Sequence, residues 1–355
     1  MAATALGAQA QITLDGKVTA AEIATAKTAD KYQSISTYSG THSVAGKGLQ
    51  TLYVGNSATK LYVAVVGSFQ QTATYAAVLL YLNVPGKTGV AKGVKLAGGA
   101  AGDSPLKIKP TMDFEVDYGV RVNFDIDAAK GGYFSFADYS NGNPATGGVP
   151  DTYQGNVLPG TPLTASGTTA ATAGPLLGAR VAYTNAATVS ANTDNSAIEF
   201  EFDLAAMGLT ATSAIDMFVA YTNGDGILTS DTFPPIAGQA TALAPDQDFT
   251  AIAGNQYLTY NLTTGLLANR NEVARSLRFG VYPNPGSAVA VTYTVPQGNQ
   301  AVSLSVHDAT GKQVRSLNAS QAGVQTYKLS GLKAGIYVVK LNVGGEQTSS
   351  KVVIE

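Results

Sequence analysis

The chain has no cysteine and no tryptophan, only two histidines, and a charged fraction of 13%. Each shortage closes off some chemistry. Without cysteine there is no disulfide, no thiolate nucleophile and no Cys/His zinc site of the usual spacing. The charged fraction lies well under the roughly 25% of an average soluble protein, so the surface is built largely from Ser, Thr, Asn, Gln and Gly. A formal net charge of −2 makes no field that would gather a polyanion, which excludes nucleic acid as the partner. No apolar run approaches the roughly 18 residues a spanning helix needs, so no membrane-spanning segment is expected.

What is present is an apolar fraction of 45% over 355 residues, enough for two domains at about 150 residues each. The opening "MAATALGAQA" is apolar and ends in Ala8-Gln9-Ala10, the small-x-small pattern of a signal-peptidase site. Residues 1–10 therefore read as the remnant of a signal peptide that lacks its basic n-region, with Gln11 as the mature start.

Residues 11–265 are written in period-two alternation with turn residues between the runs, the signature of antiparallel strands. Strands are predicted at 32–38, 49–55, 60–69, 75–84, 113–126, 131–139, 179–185, 196–204, 214–223 and 255–262. "VAVV" and "AAVLLYL" are nearly continuous apolar stretches, as expected of central strands buried on both faces. The one early helix is predicted in "AAEIATAKTADKY" (20–32), with a helical turn at "LAAMGL" (204–209). From 141 to 178 the composition turns to Gly, Pro, Thr, Ala and Ser, which reads as a long low-complexity loop. The fold class is all-β: a large antiparallel β-sandwich of jelly-roll type, then a smaller one.

The boundary falls in an Arg-rich linker, 266–278, after which "YPNP" restarts the chain. A residue before proline is pushed out of the helical region, and proline has a fixed φ and no N–H. Tyr282-Pro283-Asn284-Pro285 thus ends any linker helix and begins a new unit, 279–355, in extended form. Three apolar faces follow, on Val289/Val291/Tyr293/Val295, Val302/Leu304/Val306 and Tyr337/Val339/Leu341/Val343. Turns separate them, and about 75 residues suffice for a small seven-stranded sandwich.

This tail closely resembles the type A C-terminal sorting domain of type IX secretion system cargo of Bacteroidota. The resemblance rests on Tyr282, Pro283, Asn284 and Pro285 at its head, Asp308, Gly311 and Lys312 in a hairpin, Gly335, Ile336 and Tyr337 in the penultimate strand, and Lys351-Val352-Val353-Ile354 at the end. It implies an immunoglobulin-like β-sandwich, export through the periplasm, and a type IX translocon as partner. The cargo body would then be attached to the outer cell surface or released. Glu355 departs from the pattern, where a basic residue is frequent.

The body resembles, more loosely, DOMON-like domains and family 9 carbohydrate-binding modules, through "ITLDGKVTAAE", "KLYVAVVG" and "AIEFEFDLAAMGL". Those modules grip sugars between aromatic rings, prominently tryptophan, which is absent here, so no binding residue carries over.

Two segments place acids at every second position. Asp113, Glu115 and Asp117 share one face of a predicted strand, and Glu199, Glu201 and Asp203 share another. Adjacent like charges repel unless a cation or Lys/Arg intervenes, which raises a Ca²⁺ site or a glycosidase pair as alternatives to a plain solvent face. The solvent face is the expected reading. "TNGDGILTSD" offers Asn223, Asp225 and Asp231 as a second calcium candidate, but it lacks the frame of an EF-hand loop and reads as a hairpin turn. "GDSPL" lacks the α/β setting and downstream Asp-x-x-His of a GDS-type esterase, and His42 reads as a solvated loop residue. The expected function is that of a non-catalytic exported protein binding a glycan or surface partner. The alternative is a self-associating subunit of an extracellular layer or fibre, with a glycan-active hydrolase more remote.

Overall fold

Fourteen strands of the first unit and seven of the second account for about half of the described residues. The computed structural model describes residues 11–71, 76–97, 106, 108–140, 151–165, 178–266, 277, 279–295, 302–319, 323–343 and 346–355. The chain divides into Met1–Leu267 and Ala268–Glu355. Residues 1–10, expected to be a signal-peptide remnant, and most of 266–278, expected to be a linker, lie outside the described residues.

The first unit contains β1 (Tyr32–Thr37), β2 (Gly48–Asn56), β3 (Lys60–Ser68), β4 (Ala77–Asn83), β5 (Tyr118–Phe124), β6 (Gly132–Asp138) and β7 (Asp151–Val157). It continues with β8 (Leu163–Thr164), β9 (Arg180–Tyr183), β10 (Ala197–Asp203), β11 (Ala214–Thr222), β12 (Leu228–Phe233), β13 (Leu258–Asn261) and β14 (Gly265–Leu266). One sheet runs β1-β2-β3-β10-β9-β8. The other runs β14-β13-β11-β4-β5-β6-β7, with β12 beside β11. All these ladders are antiparallel.

Alternation decides which residues meet between the sheets. Leu61, Val63, Val65, Ile198, Phe200 and Phe202 of the first sheet face Val78, Leu80, Val120, Val122, Phe134 and Val219 of the second. Phe69 stacks on Phe124 at 5.2 Å, and Tyr183 meets the same ring edge-on at 5.3 Å. The central strands are buried on both faces, as their continuous apolar runs predict.

That double burial has a structural cause. The outer face of the first sheet is covered by the segment before β1: Val18 packs on Tyr32, Ala64, Val66 and Ala197, with Ile12, Ile23, Tyr53 and Tyr62 around them. On the outer face of the second sheet, Leu79, Tyr81, Ala137, Phe218 and Ala220 meet loop residues Leu96, Ile108, Met112, Phe114, Leu243 and Phe249. A separate apolar cluster thus lies outside each sheet.

Three sequence expectations fail. The helix at 20–32 is only a 3₁₀ turn, Ala20–Glu22, because the chain must extend at once to bridge Ile23 to Tyr32. Residues 113–117 are not strand; β5 begins at Tyr118, and the preceding residues are drawn off the ladder to pair Val116 with Val90. The low-complexity loop 141–178 contains β7 and β8, whose ladders to β6 and β9 supply the order that composition conceals.

The second unit is a sandwich of β15 (Gly280–Tyr282), β16 (Val289–Val295) and β19 (Gly323–Leu329) against β18 (Gln313–Ala319), β17 (Val302–Asp308), β20 (Gly335–Val343) and β21 (Glu346–Ile354). The three predicted apolar faces meet in its core with Leu329, Val352 and Ile354.

Candidate functional site

The acids singled out in the sequence are mostly buried, and what surrounds them is the chain's own backbone. Glu199, on β10, is fully buried. Its Oε2 accepts from the amides of Asp15 (3.0 Å) and Gly16 (2.6 Å), and its Oε1 accepts from the Tyr32 hydroxyl at 2.8 Å. The side chain therefore fastens the "LDGK" turn onto the outer face of the first sheet. Gly16 has φ +88°, and a Cβ there would lie 2.2 Å from the Tyr183 carbonyl carbon, so this approach needs glycine. Burial pushes the Glu199 carboxyl up to about 7, against the hydrogen bonds that favour its ionised form.

Glu22 performs a related task in the same segment. Its Oε1 accepts from the Thr13 amide at 2.6 Å, and its Oε2 from the Thr19 amide and hydroxyl, each at 2.8 Å. Further along β10, Glu201 sits 3.7 Å from Lys60 Nζ and 3.4 Å from Arg180 Nη1. Lys60 also reaches Asp203 at 3.4 Å. The cations that must separate like charges along β10 are thus supplied by its two neighbouring strands, β3 and β9.

Asp113, Glu115 and Asp117 neither share a solvent face nor neighbour the acids of β10. Asp113 and Asp117 are buried, and each of the three takes a backbone amide from elsewhere. Asp113 Oδ2 accepts from Gln256 (2.7 Å), Glu115 Oε1 from Gly89 (3.0 Å) and Asp117 Oδ2 from Val84 (2.7 Å). They anchor the loops that cover the second sheet. Desolvation raises the Asp117 carboxyl to about 6.

The second calcium candidate also comes apart. Asn223 Oδ1 accepts from the amides of Asp225 and Ile227, both at 3.0 Å, which makes "NGDGI" a hairpin turn with Asp225 exposed. Asp231 is instead buried on β12. Its Oδ2 accepts from the Leu49 amide at 2.8 Å and lies 2.5 Å from His42 Nδ1, while the Ser230 hydroxyl donates to its Oδ1 at 2.8 Å. His42 stacks on Tyr38 at 5.0 Å, so it is not the solvated residue expected. Among the described residues, no three His, Asp or Glu side chains form a group that could hold a metal ion.

In the second unit the motif residues divide between display and fastening. Tyr282 is 82% exposed, and both X–Pro bonds of "YPNP" are cis. Asn284 bonds β21 at Lys351 and Val353. Gly311 closes the β17–β18 hairpin at φ +85°, its amide donating to Asp308 at 3.0 Å. Gly335 opens β20 opposite Ile354, and the Tyr337 hydroxyl donates to the Lys333 carbonyl at 2.8 Å.

A large sandwich and a small one headed by this motif define an exported all-β protein, and no described helix is long and apolar enough to cross a membrane. Residues 280–355 match the family of secretion system C-terminal sorting domains, the Por secretion tail. The protein is a type IX secretion cargo, directed to the cell surface or the extracellular space. Among curated proteins none matches. Among solved structures, dimeric latent PorU from Porphyromonas gingivalis is similar at 11% identity and TM-score 0.19, over 83% of this chain and 32% of that one. The BSP domain of a biofilm-associated protein is similar at 8% identity and TM-score 0.19, over 90% of this chain and 53% of that one. The chain thus spans about a third and about half of these two proteins, and at such scores neither likeness carries an argument about activity.

Proposed function

We propose that the body is a non-catalytic binding module, displayed on the outer cell surface or released, whose ligand is a glycan or a surface partner. The observation that carries this reading is the use to which its acids are put. Asp113, Glu115, Asp117 and Glu199 accept backbone amides of the segments that join or cover the strands, and Asp231 accepts that of Leu49 in β2. An acid–base pair needs two carboxyls facing one open space, and these acids are dispersed over separate loop anchors. The loose resemblance to carbohydrate-binding modules points the same way. Affinity electrophoresis of the full chain through gels containing soluble polysaccharides, run beside a reducing-sugar assay, tests it. Retardation without sugar release is the expected result; sugar release overturns it.

A second reading, a subunit of an extracellular layer, is favoured by the edge strand β7, where Tyr153 is 54% exposed with Leu158 just beyond it at 45%. Concentration-dependent filaments or sheets in electron micrographs of the purified protein would select it over the first.

A further inference from the structure

Among the described residues, the outer face of the second sheet is covered at one end only. Register places two rows of side chains across it: Ala220, Leu79, Arg121, Ser135 and Tyr153 in one, Thr222, Ala77, Asn123, Tyr133 and Asn156 in the next. The β4 and β11 members are small or apolar and buried, with Leu79, Ala77 and Ala220 in the outer apolar cluster. Toward β7 the character changes. Tyr153 and Asn156 are exposed, Tyr133 and Arg121 half-exposed.

The two tyrosine rings stand 6.4 Å apart at 49° to one another. Their hydroxyls are already oriented: Tyr133 donates to Asp125 Oδ2 at 2.5 Å and Tyr153 to Asn156 Oδ1. Arg121 donates to Asn123 Oδ1, and Asn156 Nδ2 donates to the Lys130 carbonyl at 3.3 Å. Ser135, between Arg121 and Tyr153, is fully buried, and its hydroxyl has no hydrogen-bond partner among the described residues. Ile126, next in sequence to Asp125, is 71% exposed in the turn before β6.

From this arrangement we propose that Tyr133 and Tyr153 form a binding platform for a single, uncharged polysaccharide chain, with Asn156 and Arg121 as its hydrogen-bonding rim and the buried Asn123 and Asp125 holding Arg121 and Tyr133 in place. The proposal rests on the glycan-binding reading above and gives it a location. An exposed tyrosine ring presents an apolar face in water with few rotatable bonds, which suits stacking against the C–H face of a pyranose. Amide and guanidinium groups at the ring edges match hydroxyl donors and acceptors. The charges around the rings balance, with Arg121 and Lys130 against Asp125 and Asp127, so nothing selects a polyanion. The tilt between the rings rejects a flat crystalline surface, which would need coplanar rings, and accepts a chain that twists from one sugar to the next.

The test uses the full chain with laminarin, xyloglucan and galactomannan as soluble probes, microcrystalline cellulose as the flat comparator and heparin as the charged one. The expected result is retardation by at least one neutral soluble probe, weakened about tenfold or more in Tyr153→Ala and Tyr133→Ala and retained in Tyr153→Phe. An unchanged melting temperature in Tyr153→Ala would show that the loss is of contact and not of fold. Binding that survives both alanine variants overturns the platform while leaving the glycan reading standing. Binding to none of the neutral probes overturns both, and a preference for heparin or cellulose overturns the assignment of the occupant. If Tyr153→Ala instead abolishes self-association in sedimentation with no polysaccharide bound, the surface is a protein contact and the proposal is wrong.

Discussion

Asn284 secures β21 with both ends of its amide: Nδ2 donates to the Lys351 carbonyl at 2.8 Å, and Oδ1 accepts from the Val353 amide at 2.9 Å. The next residues continue the contact, with the Gly286 amide donating to Val353 at 3.1 Å and a parallel bridge from Gly286 to Ile354. Two motifs almost seventy residues apart in sequence are therefore one structural object. The side chain occupies backbone groups on the edge of β21 that a further strand would otherwise take.

Replacing Asn284 by Ala removes both bonds and leaves the rest of the sandwich core untouched. The expected cost is about 1–2 kcal/mol, since each exposed neutral hydrogen bond contributes modestly. Amide hydrogen exchange at Val353 should accelerate while that at the core strand residue Val339 stays slow.

Glu199 predicts a pH dependence. Its carboxyl lies at about 7 in the folded chain against 4.5 in the ordinary side chain, so the folded state binds the proton more tightly. Stability from this group is therefore greatest below about 4.5, falls as pH rises toward 7, and is flat above; the full difference is about 3 kcal/mol. Glu199→Gln keeps an acceptor for the Asp15 and Gly16 amides and removes the titration. Its Tm should be less dependent on pH between 5 and 8 than that of the wild type. Asp117 acts with the same sign, its window ending at about 6, so a residual slope at the acid end is expected.

Gly16→Ala places a methyl group against the Tyr183 and Thr184 backbone, which cannot rotate aside. The positive φ adds to the cost, and together they should destabilise the body by about 2–5 kcal/mol. Urea unfolding followed by tyrosine fluorescence measures this, and restored stability on crowding-relief mutation of a side chain is not expected.

Asp231→Ala leaves the Leu49 amide without its acceptor and His42 without its partner, while the Ser230 hydroxyl keeps the Thr41 carbonyl. Loss of about 2–4 kcal/mol is expected, mostly the penalty of an unsatisfied buried donor. Asp231→Asn, which keeps an oxygen toward Leu49, should lose less. Chemical denaturation of the two variants side by side distinguishes them.

The strands with strong alternation are legible in the sequence: β1 to β4, β6, β9 to β11 and, in the tail, β16, β17 and β20 follow the period-two runs. What was hidden had one physical origin. Both sheets of the body are covered on the outside, so the polar member of an alternating pair is not evidence of solvent. "IEFEF" looks half-exposed, yet Glu199 is buried because the 11–24 segment lies over it; the signal was the "LDGK" turn, whose two amides need an acceptor. "DTYQGNV" reads as loop because its Gly and polar residues resemble the segment around it, and the extra residue Gln154 shifts its register with β6. The tyrosine pair on β6 and β7 could not be foreseen for the same reason, as it requires β7 to be a strand.

The covering segment also carries a statement about time. The amides of Asp15 and Gly16 find their acceptor 184 and 183 residues later, and that of Leu49 finds Asp231 182 residues later. Contacts of such separation form slowly, because a long loop must close before they return any stabilisation. These three amides thus have no acceptor until the chain has been made as far as Glu199 and Asp231. The layer over the first sheet therefore closes late, and the sheet beneath it stays open while the body is being made.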